Sequence, residues 1–153
     1  MHRCVAAKKK PQPKKPAVAP EPIAPKLAAA LEAPPDGYAD IFKRLRTMLR
    51  GYATRLRVAK NDTDTYELWS KKSAPNGSTM YFGGVRLGKK YVSYHLFPVY
   101  VAPKLLEGVS PALKKRMQGK SCFNFEAVDD ALFEELAQLT QKGFETFEQR
   151  GMI

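Results

Sequence analysis

The 153-residue sequence predicts an α+β domain in which an N-terminal and a C-terminal helix pack on an antiparallel sheet of four or five strands. Apolar residues recur at three- and four-residue steps near both ends of residues 36–153, as they do on the buried face of a helix. Between these segments lie short runs rich in aromatic and β-branched residues, separated by turn sequences. Short helices are expected between the later strands.

The first helix is predicted from about Gly37 to Leu56, with Asp36 as its N-cap. Its apolar face should pack on the sheet and consists of Tyr38, Ile41, Phe42, Leu45, Met48, Leu49, Tyr52 and Leu56. The opposite face is the strongest basic patch of residues 36–153, and it sets Lys43, Arg44, Arg46, Arg50, Arg55 and Arg57 against the single acid Asp40.

Three strands are predicted after this helix, over Thr65–Ser70, Thr79–Leu87 and Lys90–Val99. Asn76-Gly77 supplies a turn between the first two, because glycine readily adopts positive φ. Gly88-Lys89 joins the second and third as a tight hairpin.

The chain beyond the hairpin predicts short helices over 102–108 and 111–117, and Ser110 is placed to cap the second of them. A short strand follows at Cys122–Phe125, where alternate side chains face opposite ways. One of two pairs must therefore be core, either Cys122 with Asn124 or Phe123 with Phe125.

The last helix is predicted from about Asp130 to Arg150, with Asp129 as its N-cap. It aligns one apolar face, made of Leu132, Phe133, Leu136, Leu139, Gly143, Phe144 and Phe147.

Residues 1–35 differ in composition from the rest of the chain. They hold eight of the 12 prolines and seven of the 26 Lys and Arg residues, and they contain no aromatic residue. Such a segment buries too little apolar area to offset its ordering entropy, so it is interpreted as a disordered basic tail before a single domain of residues 36–153. Removing the seven bases and two acids of this tail from the formal charge of +11 leaves +6 on the domain.

The N-terminus does not resemble a secretory signal, because Lys8, Lys9 and Lys10 interrupt its short apolar stretch. No run of about 18 apolar residues is present, so no membrane span is predicted. Cys4 and Cys122 form neither a disulfide framework nor a metal-ligand spacing. A soluble cytoplasmic protein without a cofactor is the expectation, and its oligomeric state is left open.

Three motifs carry a resemblance to a known family: Tyr81-Phe82-Gly83-Gly84 on one strand, Tyr94-His95-Leu96-Phe97-Pro98 on the next, and Gly119-Lys120-Ser121 leading to Phe125. Over residues 38–149 the chain resembles the YdhG-like family of small bacterial domains of unknown function. The resemblance implies a YdhG-like α+β fold for residues 36–153. One branch of the family is described as a frataxin-like iron chaperone, so the resemblance also implies iron handling as an alternative function.

Iron handling of that kind needs clustered hard oxygen ligands. The formal charge of +11 opposes a surface that collects iron, and a helix normally presents its acids to solvent. No metal site is therefore predicted. The acids in question are Asp129, Asp130, Glu134 and Glu135, with Glu145 and Glu148 further along the last helix.

Two local features of the sequence are candidate sites of chemistry. Gly119-Lys120-Ser121 resembles the end of a phosphate-binding loop, but Lys114 stands where that loop needs glycine and a strand is predicted where a helix must follow. Cys122 and His95 are the one pair that can act as a nucleophile and its base, since both lie on predicted strands of one sheet. A structural thiol is the simpler interpretation, because no third group that orients the pair is identified. No catalytic residue is predicted.

The sequence therefore favours a small-ligand or interaction module over an enzyme, and it leaves three hypotheses open. A small-ligand or metal-handling module requires a pocket over the sheet lined by Trp69, Tyr81, Tyr94 and His95. An enzyme requires His95 and Cys122 side by side and accessible to solvent. Association with nucleic acid or another polyanion requires salt-dependent phosphate contacts from Lys8, Lys9, Lys10, Lys14, Lys15, Lys43, Arg44, Arg46, Arg50, Lys114, Lys115 and Arg116.

Overall fold

The computed structural model describes residues 36–153, and the predicted tail of residues 1–35 lies outside them. The first half of this region contains α1 (Asp36–Arg50), β1 (Arg57–Asn61), β2 (Thr65–Ser73), β3 (Thr79–Leu87) and β4 (Val92–Leu96). The second half contains α2 (Phe97–Val101), a 3₁₀ helix (Pro103–Leu106), α3 (Pro111–Lys114), β5 (Cys122–Phe125) and α4 (Asp130–Gln149). The strands form one antiparallel sheet in the order β1-β2-β3-β4-β5, which confirms the predicted α+β class.

α1 ends at Arg50, earlier than the predicted end near Leu56. Gly51 follows directly, and glycine is among the poorest helix formers. The chain continues in turns, in which the Tyr52 amide donates to the Leu49 carbonyl and the Arg55 amide donates to the Tyr52 carbonyl. The predicted apolar face of the helix is nevertheless confirmed, with Ile41, Phe42, Leu45, Leu49 and Leu56 all buried.

β1 is the one strand that the sequence analysis does not predict. All five of its residues are exposed, so it has no apolar alternation that a pattern can reveal. It pairs with β2 at the edge of the sheet, where Asn61 lies opposite Tyr66. Arg57 and Lys60 give this edge the charges that commonly protect edge strands from pairing with other chains.

The predicted turns of the hairpins are confirmed. Gly77 adopts a φ of +80°, and its amide donates to the Ala74 carbonyl. Gly88 closes the β3–β4 hairpin, since its amide donates to the Tyr91 carbonyl. β4 ends earlier than predicted because Pro98 occupies the first turn of α2, where the missing N–H of proline costs no helical hydrogen bond.

α1 and α4 pack on the same face of the sheet. Phe82 of β3 packs edge-on against Phe144 and Phe147 of α4, with ring centroids 5.9 and 5.5 Å apart. On the α1 side, a Cβ atom at Gly83 would lie 3.7 Å from the Leu49 side chain. The buried residues of β2 to β5 on this face complete the core and include Tyr66, Leu68, Val85, Val92, Tyr94, Leu96, Phe123 and Phe125.

Of the two candidate core pairs of β5, Phe123 and Phe125 are the buried one, at 0% and 1% exposure. α4 is capped as predicted, since the Asp129 carboxylate accepts from the Leu132 amide at 3.1 Å. All seven residues of the predicted apolar face of α4 are buried. The Ser110 cap of α3 is confirmed as well, because its hydroxyl accepts from the Leu113 amide.

Tyr94 and Thr140 form a polar contact inside the core between β4 and α4. Both residues are fully buried, and their hydroxyl oxygens lie 2.7 Å apart. Thr140 Oγ1 donates to the Leu136 carbonyl at 2.8 Å, so the Tyr94 hydroxyl is the donor in the pair. Burial raises the pKa of Tyr94 well above its usual range, which keeps this phenol protonated.

We predict that Thr140→Val destabilises the fold more than Tyr94→Phe does. Tyr94→Phe removes one hydrogen bond and leaves Thr140 bonded to the Leu136 carbonyl, which should cost about 1 kcal/mol. Thr140→Val leaves the buried Tyr94 hydroxyl without a hydrogen-bond partner, which should lower the free energy of unfolding by about 2 kcal/mol. Urea unfolding of both variants measures the difference. Equal losses, or a larger loss for Tyr94→Phe, would contradict this assignment of the donor.

We predict that Gly143→Ala is destabilising by about 1–3 kcal/mol, although alanine favours helices more than glycine. A Cβ atom at Gly143 would lie 2.9 Å from Cβ of Pro98, so α4 and α2 would have to move apart. Gly37→Ala is the matched control, because nothing lies within 4 Å of a Cβ atom there and the change should be neutral or stabilising by up to about 1 kcal/mol. Thermal unfolding compares the two, and a gain in stability for Gly143→Ala would contradict the close approach.

Candidate ligand site on the open face of the sheet

The sheet face opposite α1 and α4 carries the polar residues of β2 to β5, and we call it the open face. Strand alternation assigns the side chains of β2, β4 and β5 to it, because neighbouring residues of these strands lie in the core. In β3 a register shift at Phe82 puts Tyr81, which lies opposite Trp69, on the same face as Gly84. Most of its side chains are half-buried among one another rather than fully exposed. The open face comprises Thr65, Glu67, Trp69, Tyr81, Gly84, Arg86, Ser93, His95, Cys122 and Asn124.

The register of the sheet arranges these residues in two cross-strand rows. Direct pairing places Glu67 opposite Gly84, Gly84 opposite His95, and His95 opposite Cys122. The adjacent row is formed in the same way by Thr65, Arg86, Ser93 and Asn124. The open face therefore brings into one row residues that are up to 59 positions apart in the chain, Thr65 and Asn124 at its two ends.

Gly84 leaves a gap in the first row, which we call the Gly84 cavity. A Cβ atom at Gly84 would lie 2.6 Å from the Tyr81 hydroxyl and 3.1 Å from Cγ of Glu67, so both side chains lean over the glycine. The cavity has a volume of about 280 Å³ and is lined by Thr65, Glu67, Tyr81, Gly84, Val85, Arg86 and His95. A larger residue at position 84 would occupy this space.

The Gly84 cavity is bordered by two opposite charges that do not pair with each other. Within residues 36–153, neither Glu67 nor Arg86 takes part in a salt bridge. The Glu67 carboxylate has one weak contact, with Trp69 Nε1 at 3.5 Å. The guanidinium of Arg86 and the carboxylate of Glu67 are thus available to groups that enter the cavity.

Cys122 and His95 lie at the other end of the same row. Sγ of Cys122 is 3.8 Å from Nε2 of His95 and 3.4 Å from Oδ1 of Asn124. Ser93 Oγ donates to Asn124 Oδ1 at 3.0 Å, and Asn124 Nδ2 donates to Gln118 Oε1 at 2.6 Å. The thiol therefore sits beside an asparagine whose orientation is fixed by two further side chains.

Burial affects Cys122 and His95 in a way that keeps both uncharged. Burial lowers the pKa of His95, the nearby Arg86 lowers it further, and Glu67 partly offsets this. Burial raises the pKa of the Cys122 thiol, with a smaller opposing effect from Ser93. An activated cysteine nucleophile needs the reverse arrangement, a thiolate beside an imidazolium. The pair is adjacent and half-accessible, as the enzyme hypothesis requires, but its resting charge state does not activate the thiol.

A row of aromatic rings borders the open face at the end near α2. Trp69 meets Tyr81 edge-on at 5.4 Å, Tyr81 meets Phe97 edge-on at 6.3 Å, and Phe97 stacks on Tyr100 at 5.4 Å between centroids. Lys120 Nζ lies over the Tyr100 ring, 5.6 Å from its centroid. Trp69 and Tyr81 thus form a wall with apolar surface next to the Gly84 cavity.

Of the four pocket residues predicted from sequence, the structure brings three together. Tyr81 and His95 line the Gly84 cavity, and Trp69 packs against Tyr81 beside it. The prediction that Tyr94 lines the pocket is corrected by the structure. Tyr94 is fully buried on the opposite face of the sheet and is hydrogen-bonded to Thr140. Adjacent residues of a strand point to opposite faces, so Tyr94 and His95 cannot line the same pocket.

The sequence analysis does not identify Glu67, Gly84 or Arg86 as site residues. A signal for them existed in the two-residue period of the strands, which places Glu67 with Trp69 and Arg86 with Gly84 on one face. What the sequence does not contain is the pairing of β2 with β3, which brings Glu67 opposite Gly84.

The predicted nucleic-acid residues are distributed over separate parts of the surface. Arg44 binds Asp40 at 3.0 Å and Asp130 at 2.7 Å. Arg46 donates a hydrogen bond to Asn61 of β1, and the Arg116 carbonyl accepts one from the Asn124 amide of β5. Because β1 and β5 are opposite edges of the sheet, the two arginines lie near opposite edges. Lys43 and Arg50 are exposed on α1, Lys114 and Lys115 are exposed on and just after α3, and Lys8, Lys9, Lys10, Lys14 and Lys15 lie outside the described residues. Nucleic-acid association stays a prediction that rests on charge.

The acids of α4 mostly have structural partners. Asp129 caps the helix, Asp130 binds Arg44, and Glu148 binds Arg55. Glu135 accepts hydrogen bonds from the amide and hydroxyl of Ser110, and Glu145 accepts from Gln141. In the region described, no group of three or more His, Cys, Asp or Glu side chains is arranged to hold a metal ion.

No protein-family model, curated protein or solved structure matches the chain. The YdhG-like resemblance therefore rests on its sequence motifs and stays a prediction. None of the helices in residues 36–153 has the length and apolar character needed to cross a membrane.

We predict that His95 titrates below the usual histidine pKa of about 6.5. NMR titration of its ring signals measures this, with the urea-unfolded chain as the reference. Arg86→Gln should raise the pKa of His95 because it removes a neighbouring cation, and Glu67→Gln should lower it because it removes a carboxylate. Shifts of the opposite sign in the two variants would contradict the described arrangement of charges.

Proposed function

We propose that the chain is a non-enzymatic binding module whose ligand is a small zwitterionic molecule held in the Gly84 cavity. The observation that carries this proposal is the convergence of Glu67, Arg86 and His95 on one cavity in the open face. A YdhG-like resemblance implies no reaction, and a binding module is consistent with it.

The charges at the cavity define the ligand class. Glu67 lies opposite Gly84, and Arg86 is two residues beyond Gly84 on the same strand, so the two charged residues are diagonal neighbours. Diagonal neighbours are about 7–8 Å apart at Cα, close enough for long side chains to reach one small molecule. An ammonium group on the ligand would bind Glu67, and a carboxylate would bind Arg86, a side chain well suited to bidentate contacts. The Tyr81 hydroxyl and the neutral His95 ring supply further hydrogen-bonding groups.

The size and walls of the cavity limit the ligand further. Its volume of about 280 Å³ lies just below the range of about 300–1,000 Å³ that is usual for ligand pockets, so it suits a compact molecule. Tyr81, supported edge-on by Trp69, forms a wall with apolar surface against which the body of the ligand can pack.

Binding is favoured over catalysis by the charge states of the remaining groups. The raised pKa of Cys122 and the lowered pKa of His95 leave a neutral thiol beside a neutral imidazole at neutral pH. No carboxylate pair borders the cavity, because Glu67 is the single acid in its lining. General acid–base chemistry by paired carboxylates therefore has no basis in this site.

We predict that phenylalanine binds better than two analogues that each retain one of its charges. Phenethylamine keeps the ammonium group and 3-phenylpropionate keeps the carboxylate, so the ring is matched in all three probes. Titration of the ¹⁵N-labelled chain at millimolar probe concentrations measures affinity and locates the site. Amide shifts should concentrate at the residues that line the Gly84 cavity, and the zwitterion should bind at least about tenfold more tightly than either analogue.

Two charge variants sharpen this test. Glu67→Gln should weaken binding of phenylalanine and phenethylamine but not of 3-phenylpropionate, whereas Arg86→Gln should weaken binding of phenylalanine and 3-phenylpropionate but not of phenethylamine. Lys60→Gln on the exposed edge strand is the matched control for loss of a surface charge and should change none of the three affinities. Binding of no probe, shifts located away from the cavity, or equal affinity for the three probes would overturn the proposal.

A further inference from the structure

Cys122 and His95 place two soft donor atoms next to each other at one end of the first row, and the proposed ligand site uses only the histidine. The residues are direct cross-strand partners on β4 and β5. Both side chains lie on the open face and are half-buried, so the pair is held in place and still reachable from solvent. Sγ of Cys122 and Nε2 of His95 are separated by 3.8 Å.

This separation matches two ligands of a single metal ion. Zinc–sulfur bonds are about 2.3 Å long and zinc–nitrogen bonds are about 2.0–2.1 Å long. With those bond lengths, two donors on one ion lie about 3.6 Å apart at a tetrahedral angle and about 3.8 Å apart at a trigonal angle. The two donor atoms therefore need no rearrangement of the sheet to share an ion.

The Cys122 thiol has one polar neighbour whose own position is fixed. Asn124 Oδ1 lies 3.4 Å from Sγ, and Asn124 is itself held by Ser93 and Gln118. The thiol donates to Asn124 Oδ1, and this hydrogen bond is lost when Cys122 coordinates a metal ion as the thiolate. The hydrogen bonds from Ser93 to Asn124 and from Asn124 to Gln118 thus give the thiol a fixed environment.

We propose that Cys122 Sγ and His95 Nε2 bind one thiophilic metal ion, Zn²⁺ or Cu⁺, with its remaining coordination positions open to water or a small molecule. Thiolate and imidazole are the ligands that these two ions prefer. Binding releases the thiol proton of Cys122 to solvent, because the thiolate is the coordinating form. With two protein donors, the ion exchanges with solution rather than serving as a structural centre.

The experiment uses the full chain with His2→Gln and Cys4→Ser. The chain contains two histidines and two cysteines, so this background leaves His95 and Cys122 as the only imidazole and thiol. Zn²⁺ binding is followed with Co²⁺ as its optical surrogate, and Cu⁺ is titrated anaerobically against a chelator. We expect one ion per chain and, with Co²⁺, a thiolate-to-cobalt charge-transfer band in the near ultraviolet.

Cys122→Ser and His95→Gln should each weaken metal binding by more than about tenfold. Replacing a residue that only hydrogen-bonds to a metal ligand already lowers metal affinity about 10- to 100-fold, so loss of a ligand itself should lower it at least as much. Lys60→Gln is the control, because Lys60 lies on the exposed edge strand β1, three strands away from His95, and should have no effect. Binding of neither ion, or binding retained when either donor is replaced, would overturn the proposal.

Two further measurements separate this proposal from loss of the fold and from the ligand site. Circular dichroism verifies each variant, and the His95 ring signals of the parent background should shift on addition of Zn²⁺. An absence of that shift in the folded parent chain would also overturn the proposal. Glu67→Gln and Arg86→Gln should abolish the preference for the zwitterion and leave one metal ion bound, so either proposal can fail without the other.

Discussion

The register of β3, β4 and β5 is the constraint on which the core and the candidate site both depend. Pairing of Tyr94 with Phe123 and of His95 with Cys122 puts the first pair in the core and the second on the open face. Because the side-chain period of a strand is two, a slip by one residue would exchange these faces. It would expose large aromatic rings, each worth about 1.5–3 kcal/mol of burial, and would bury polar groups in their place. Packing of the aromatic core therefore fixes the geometry of the polar site.

α4 secures this register although it contributes no residue to the Gly84 cavity or to the Cys122–His95 pair. Thr140 accepts a hydrogen bond from the Tyr94 hydroxyl of β4. Gly143 allows α4 to approach closely Pro98 of α2, the helix that directly follows β4. Each contact depends on one residue of α4, Thr140 for the hydrogen bond and Gly143 for the close approach. A shift of α4 along the sheet would therefore break the hydrogen bond and bring larger residues against Pro98. Residues of α4 are thus determinants of the site through the position of β4.

The sequence predicts the parts of this fold that have strong periodicity and misses the parts that depend on pairing. The apolar faces of α1 and α4 follow from spacing alone, since each is long enough to repeat its pattern several times. β1 escapes prediction because an exposed edge strand has no alternation. For β5, the pattern leaves two possible core pairs, and the choice depends on which face of the sheet α4 covers, where Phe125 packs edge-on against Phe133. The candidate site is harder still, because Glu67 and His95 meet at Gly84 through two strand pairings.

The two proposed sites share His95, and this sharing has a thermodynamic consequence. His95 lines the Gly84 cavity and is also 3.8 Å from the Cys122 thiol. Because the thiol proton is released, Zn²⁺ held by His95 and the Cys122 thiolate adds one net positive charge at the end of the row that begins with Glu67, whereas Cu⁺ adds none. Bound Zn²⁺ therefore favours the anionic group of a ligand and disfavours a purely cationic ligand. By linkage, the ligand must change the affinity for the ion by the same factor by which the ion changes the affinity for the ligand. Under the two proposals, the row Glu67, Gly84, His95 and Cys122 is one site with two coupled occupants, and its preference among ligands depends on whether Zn²⁺ is bound.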